Sequence, residues 1–143
     1  MKDIEILLVE DNEGDIVLTM EALDDARIIN KVTVKRDGAE ALEYLLKLAV
    51  NDHASLPDLI LLDINLPKID GKEVLNQIKT NPVLKKIPVV MLTTSSSEGD
   101  ILESYNNHAN CYIIKPVDLN KFFNIVKAIE NFWVTIVKLP AKD

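Results

Sequence analysis

The chain has 143 residues, of which 48% are hydrophobic, and this length is sufficient for one domain with a substantial buried core. Its formal charge of −7 argues against a nucleic-acid surface, which needs clustered lysine and arginine, and its single cysteine excludes an internal disulfide framework. No hydrophobic run approaches the ~20 residues of a membrane helix and the amino terminus lacks a signal-peptide pattern, so the sequence predicts a cytoplasmic protein.

Short hydrophobic runs alternate with longer helical patterns five times along the chain. The hydrophobic runs predict strands at residues 4–9, 31–36, 59–63, 87–92 and 111–115. Helical periodicity predicts helices at residues 14–27, 37–50, 71–80 and 97–107, and a last long helix that begins at Asp118. Strands that alternate with helices at this spacing form parallel crossovers. The predicted fold class is therefore α/β, a doubly wound five-stranded parallel sheet in the order 2-1-3-4-5.

Four of these elements carry further local signals. On the first helix, one hydrophobic stripe is expected to face the sheet, and its members are Ile16, Val17, Met20 and Leu23. The second strand alternates hydrophobic and polar residues, which is typical of a sheet edge. The second helix follows Asp37, an N-cap residue with Glu40 three positions later. Asp70 is expected to cap the third helix.

Polar side chains lie at the ends of four predicted strands. They are Glu10 and Asp11 after the first strand, Asp63 on the third, Thr93 after the fourth and Lys115 on the fifth. Taken singly, each has a simple explanation as a loop acid, a cap or a surface charge. In the predicted order, however, these four strands are neighbours and parallel, so their polar ends gather at one edge of the sheet. Open α/β sheets bind ligands at that edge, and the joint arrangement favours a functional site.

The chemistry of this set points to phosphoryl transfer. Three carboxylates that lie close together repel one another, and Mg²⁺, which prefers oxygen ligands, relieves the repulsion and binds phosphate oxygens. Lys115 and Thr93 can hold the other oxygens of a phosphoryl group. Asp63 is then available as a carboxylate nucleophile that forms an aspartyl phosphate.

The sequence around these residues resembles the receiver domains of two-component response regulators, which have a flavodoxin-like fold. The matching segments are residues 8–12, 62–71, 91–95 and 112–116. The resemblance implies that Asp63 accepts a phosphoryl group from the phosphohistidine of a sensor histidine kinase. It also implies that Lys115 pairs with the phosphoryl oxygens and that Thr93 and Tyr112 form the conformational switch. The implied Mg²⁺ ligands are Glu10, Asp11, Asp63 and the backbone carbonyl of Asn65.

Other stretches resemble the single-domain regulators that are paired with phytochromes. These stretches are residues 11–15, 110–118 and 132–133. This likeness implies that the partner is a sensor kinase, for which a light-sensing kinase is one candidate. It also implies a homodimer. The whole chain, 1–143, is expected to be one receiver domain without an output domain, with an extended carboxy-terminal helix and tail from about residue 118. Hydrophobic residues such as Phe132 lie away from the side of the last helix that is expected to face the sheet. They favour a dimer surface on that helix and tail, and a tail that folds back on its own domain is the alternative.

Two other classes of protein remain open at this point. Haloacid-dehalogenase-type phosphatases also use an aspartate nucleophile after a hydrophobic strand, but they place a second aspartate two residues later, where this chain has Asn65. A degenerate receiver would act only as a binding module, and such a module would normally have lost one of the pocket residues. We expect a signalling protein that is not an enzyme, apart from catalysing its own phosphorylation and dephosphorylation.

Overall fold

The computed structural model describes residues 4–25, 30–93, 111–114 and 124. Its strands are β1 (Ile4–Val9), β2 (Asn30–Lys35), β3 (Leu59–Asp63), β4 (Val89–Thr93) and β5 (Cys111–Ile114). Its α-helices are α1 (Glu13–Asp25), α2 (Gly38–Asn51) and α3 (Gly71–Thr80), with short 3-10 helices at His53–Ser55 and Leu84–Lys86. The predicted helix at residues 97–107 and the helix and tail from Asp118 lie outside the described residues, apart from residue 124, which is helical.

The five strands form one parallel sheet in the order β2-β1-β3-β4-β5, which confirms the predicted topology. Val9 pairs with Leu62 across β1 and β3, and Asp63 pairs with Leu92 across β3 and β4. This register brings the carboxyl ends of β1, β3 and β4 level with one another. The residues that directly follow these strands therefore share one edge of the sheet.

Hydrophobic side chains cover both faces of the central strands, because successive residues of a strand point to opposite faces. On one face, Leu7, Val9 and Leu62 belong to a core that includes residues of α2 and α3. On the other face, Leu8 and Leu61 belong to a second core that includes residues of α1. All five residues of β3 are buried. A carboxylate at the last position of this strand is thus held by a rigid, close-packed element.

The buried face of α1 differs from the predicted one. Ile16 and Leu23 are buried as expected, but Val17 and Met20 are 47% and 39% exposed. Thr19 and Ala22 complete the buried stripe instead. The helix thus turns a side with two smaller residues toward the core, whereas hydrophobicity alone favoured the two larger side chains.

Element boundaries agree with the sequence to within about two residues, which is the usual scatter at element ends. Helix α1 begins at Glu13 rather than Gly14, and β4 begins at Val89 rather than Ile87. The late start of β4 follows from the 3-10 helix before it, where the Ile87 amide donates to the Leu84 carbonyl. Asp37 caps α2 through a hydrogen bond from the Glu40 amide, and Asp70 caps α3 through one from the Lys72 amide. Both caps confirm the sequence interpretation.

Candidate functional site

Three carboxylates meet at the carboxyl edge of the sheet. Glu10 and Asp11 directly follow β1, and Asp63 ends the neighbouring strand β3. One oxygen atom from each carboxylate lies within 4.8 Å of the others. Glu10 and Asp63 are buried, whereas Asp11 is exposed. The cluster is therefore anchored in the protein on one side and open to solvent on the other.

Backbone amides orient the two buried carboxylates. The Asn12 amide donates to Glu10 Oε2 at 3.3 Å, and the Asn65 amide donates to Asp63 Oδ1 at 3.2 Å. Each donor lies two residues after its acceptor, so each carboxylate is held by the loop that it begins. Both hydrogen bonds restrict the rotation of the carboxylate groups. They keep the oxygens directed into the cluster.

The loop after β1 leads directly into the first turn of α1. Asn12 is the N-cap, since its side-chain oxygen accepts a 2.9 Å hydrogen bond from the Asp15 amide and its carbonyl accepts one from the Ile16 amide. This cap was not among the helix starts predicted from the sequence. The sequence does contain an N-cap pattern there, because Asn is a preferred N-cap residue and an acidic residue follows three positions later. The cap fixes the backbone immediately after Glu10 and Asp11.

The turn after β3 is closed at its base by Gly71. The Gly71 amide donates to the Ile64 carbonyl at 2.9 Å. A β-carbon at residue 71 would lie 2.1 Å from the Asp63 carbonyl oxygen and 2.8 Å from the Ile64 α-carbon. Only glycine permits this approach. The start of α3 therefore packs directly on the backbone of Asp63.

The donor set of the cluster fits a hard divalent cation. All three side chains offer oxygen atoms, which Mg²⁺ and similar cations prefer, and soft ligands are absent from the cluster. Like charges at this spacing also repel one another, and a bound cation relieves that repulsion. The described residues thus contain an acidic cluster that fits the divalent metal site of receiver domains.

The remaining predicted site residues are described to different extents. Thr93 ends β4 at the same edge and is buried, with 1% of its surface exposed. Tyr112 lies in β5 and pairs with Met91, but its side chain is outside the described part of the chain. Lys115 also lies outside it, one residue after Ile114, which is the register partner of Thr93. The structure therefore brings together Glu10, Asp11 and Asp63 and places Thr93 on the adjacent strand.

Three residues lie beside the site although the sequence patterns did not predict that position for them. Asp37 and Gly38, at the start of α2, contact the turn after β3, and Lys68 is the residue of that turn that pairs with Asp37. Sequence signals marked Asp37 and Gly38 only as a helix start. No local pattern indicates which loop a helix terminus will contact.

In the part of the chain that the structure describes, no helix has both the length and the hydropathy that are needed to cross a membrane.

Comparison with known proteins agrees with this geometry. The family model described as "Response regulator receiver domain" matches residues 6–127. The response regulator Rcp1 of Synechocystis sp. is 48% identical over 136 residues, which cover 95% of this chain and 92% of Rcp1.

Two solved structures are also similar to this chain. The phosphorylated cyanobacterial phytochrome response regulator RcpA is 52% identical with a TM-score of 0.77, and the alignment covers 94% of this chain and 96% of RcpA. The Mn²⁺-bound form of Rcp1 is 47% identical with a TM-score of 0.74, and the alignment covers 96% and 99% of the two chains.

Proposed function

This chain belongs to the response regulator receiver domain family, and we propose on that premise that it is the phosphoacceptor of a two-component system. In this proposal, Asp63 receives a phosphoryl group from the phosphohistidine of a sensor histidine kinase. The observation that carries the proposal is the meeting of Glu10, Asp11 and Asp63 at the carboxyl edge of the sheet, with Asp63 buried at the end of β3.

The transfer is a displacement at phosphorus. A carboxylate oxygen of Asp63 attacks the phosphorus atom, the phosphorus–nitrogen bond to the histidine breaks, and the imidazole leaves with the electron pair. The hydrogen bond from the Asn65 amide to Asp63 Oδ1 supports this role, because it restricts the rotation of the carboxylate group at the end of β3. The burial of β3 holds the nucleophile in one orientation, and such positioning supplies much of the rate in phosphoryl transfer.

Charge neutralisation is the other requirement of the reaction. Glu10, Asp11, Asp63 and the backbone carbonyl of Asn65 would hold Mg²⁺, which neutralises the charge on the transferring phosphoryl oxygens. The Mn²⁺-bound form of Rcp1 supports a divalent cation in this family. We assign Lys115 to the remaining phosphoryl oxygens on the strength of the family resemblance and its position one residue after β5.

The proposed switch residues are Thr93 and Tyr112. Thr93 ends the strand beside β3, so its hydroxyl is suited to move toward a phosphoryl group on Asp63. Tyr112 lies on the next strand, opposite Met91 in the register. Phosphorylation would thus be read out through β4 and β5 as a change in a protein-interaction surface.

A sensor histidine kinase is the proposed partner, and the likeness to RcpA, a phytochrome response regulator that was solved in its phosphorylated form, supports a phytochrome as that kinase. We also propose a homodimer through the carboxy-terminal helix and tail, residues 118–143, which lie outside the described residues except residue 124. Phe132→Asp tests this surface by sedimentation. The variant should have half the mass of the wild type, and a wild type that is already monomeric would overturn the dimer.

The phosphoacceptor role is tested by intact-mass spectrometry after incubation with phosphoramidate and Mg²⁺. The wild type should gain one phosphoryl group, and Asp63→Asn should gain none. Steady hydrolysis of the donor without an adduct would favour the phosphatase class instead. Absence of both adduct and hydrolysis in the wild type would indicate a binding module.

A further inference from the structure

The turn after Asp63 is supported from outside by the start of α2. This turn runs from Ile64 to Asp70, and its base is closed by the hydrogen bond from the Gly71 amide to the Ile64 carbonyl. Its tip contains Lys68, which adopts a left-handed conformation with φ of 68°. This conformation is unfavourable for a residue that carries a side chain, so other interactions must maintain it.

An ion pair joins the tip of the turn to the cap of α2. Lys68 Nζ lies 3.4 Å from Asp37 Oδ2, while Asp37 Oδ1 accepts a 2.7 Å hydrogen bond from the Glu40 amide. The two oxygens of one carboxylate thus bind two different elements. Asp37 is the less exposed partner, with 13% of its side chain accessible against 69% for Lys68.

Backbone contact reinforces this junction. The Gly38 amide donates to the Pro67 carbonyl at 3.4 Å, and the Ile69 amide donates to the same carbonyl at 2.8 Å. A β-carbon at residue 38 would lie 2.1 Å from the Ile69 carbonyl oxygen. The first residue of α2 therefore packs directly against the turn, with no side chain between them.

We propose that Asp37 and Lys68 are positioning residues for phosphoryl transfer, because their ion pair holds the turn that carries Asn65 in the conformation that the site requires. Neither residue touches the reacting atoms. They act through the turn, whose Asn65 amide donates to the Asp63 carboxylate and whose Asn65 carbonyl is the proposed cation ligand. This inference rests on the proposed phosphorylation of Asp63 and adds to it a determinant outside the pocket.

Four single variants, and the double variant that combines Lys68→Gln with Asp37→Asn, test the proposal in the full chain. Lys68→Gln and Asp37→Asn each remove one charge of the pair, and asparagine keeps the ability to cap α2. Lys68→Arg keeps the charge and is the conservative variant. The matched control is Glu40→Gln, which removes a charge from the same turn of α2, where Glu40 pairs with Lys35 of β2 at 3.8 Å.

Two quantities are measured for each variant: the rate constant of adduct formation with phosphoramidate, and the dissociation constant of Mg²⁺ by calorimetry. Lys68→Gln and Asp37→Asn should each slow adduct formation and weaken Mg²⁺ binding by about two- to fivefold, the range of a partly exposed ion pair. The double variant should be no worse than either single one, because both act through the same pair. High salt should remove the difference from the wild type. Lys68→Arg and Glu40→Gln should match the wild type.

Wild-type rates and Mg²⁺ affinity in Lys68→Gln and Asp37→Asn would overturn the positioning role. Equal losses in Glu40→Gln would also overturn it, since the effect would then be one of general helix stability or surface charge. Failure of the proposed function is a different result, in which the wild type itself forms no adduct.

Discussion

Gly71 offers a quantitative test of how closely α3 packs on the proposed phosphoacceptor. In Gly71→Ala, the added methyl group would lie 2.1 Å from the Asp63 carbonyl oxygen and 2.8 Å from two backbone atoms of Ile64. These neighbours are backbone atoms of a buried strand and the turn that follows it, so they cannot rotate away as a flexible side chain would. Either α3 or the end of β3 must move.

The cost of this movement can be worked from its parts. Forcing one methyl group into a close-packed site costs about 1–3 kcal/mol, and weakening the hydrogen bond from the Gly71 amide to the Ile64 carbonyl adds about 1 kcal/mol. A total of about 2–4 kcal/mol corresponds to a melting temperature lowered by roughly 4–16 °C in a domain of this size. Because Asp63 moves with the strand end, we expect adduct formation to slow by about tenfold or more, the usual penalty for a misplaced reacting group.

Gly14→Ala is the matched control for this prediction. Gly14 lies in the first turn of α1, beside the same acidic cluster, and a β-carbon there would lie 3.2 Å from the side-chain oxygen of Asn12. A movement of a few tenths of an ångström by this exposed side chain is sufficient and keeps its oxygen within reach of the Asp15 amide that it caps. Alanine in a helix is favoured over glycine by about 0.5–1 kcal/mol. Melting is followed by circular dichroism and phosphorylation by intact mass. A Gly71→Ala variant that melts and reacts like Gly14→Ala would refute the close packing of α3 on Asp63.

Four further predictions concern charge. Asp63→Asn should raise the melting temperature of the metal-free protein, because it removes one of three clustered negative charges. Mg²⁺ at ~100 times its Kd should stabilise the folded wild type by about 2.7 kcal/mol. Lys79→Met should destabilise the fold by about 1–3 kcal/mol in denaturant unfolding, because the Lys79 ammonium donates to the Lys85 and Ile87 carbonyls at 3.1 and 2.6 Å. The hydrogen bond from the Glu40 amide, with help from Lys68, lowers the pKa of Asp37, so Asp37→Asn should destabilise the fold at neutral pH. This difference should begin to shrink below the ordinary aspartate pKa of about 4 and should be lost below the lowered pKa of the folded state.

The last three of these predictions each have a result that would contradict them. Equal melting with and without millimolar Mg²⁺ would count against a cation site at the cluster. If Lys79→Met and the wild type have the same midpoint of denaturant unfolding, the hydrogen bonds from the Lys79 ammonium to the two carbonyls do not stabilise the fold. The stability lost in Asp37→Asn belongs to the carboxylate form, which is present above the ordinary aspartate pKa of about 4 and disappears as the folded-state group protonates. A difference that persists unchanged at acid pH would show that charge on Asp37 is not its source.

The strand order and the acidic cluster could be predicted from the sequence for a simple physical reason. Alternation of strands and helices restricts the connections to parallel crossovers, and the carboxyl ends of parallel neighbours share one edge. Once Asp63 ends a strand that is buried on both faces, only residues at the ends of the adjacent strands can meet it. Local periodicity and strand register are therefore sufficient to bring Glu10 and Asp11 to Asp63.

Features that depend on contact between distant elements were not predictable in the same way. Hydrophobicity favoured Val17 and Met20 for the buried face of α1, whereas the folded structure buries Thr19 and Ala22 and exposes the two larger side chains. The sequence identified Asp37 as a helix cap, but its second contact, with Lys68, depends on how α2 sits against the turn after β3. These two residues are 31 positions apart in the chain, and no local sequence pattern predicts a contact between them.

The most direct measurement is the chemical location of the phosphoryl group. Wild-type protein is phosphorylated with phosphoramidate and Mg²⁺ and reduced with borohydride, which converts an aspartyl phosphate into homoserine, and its peptides are then sequenced by mass spectrometry. We expect homoserine at position 63 and at no other position. Homoserine at another aspartate, or a phosphoryl group on histidine or serine with position 63 unmodified, would contradict it.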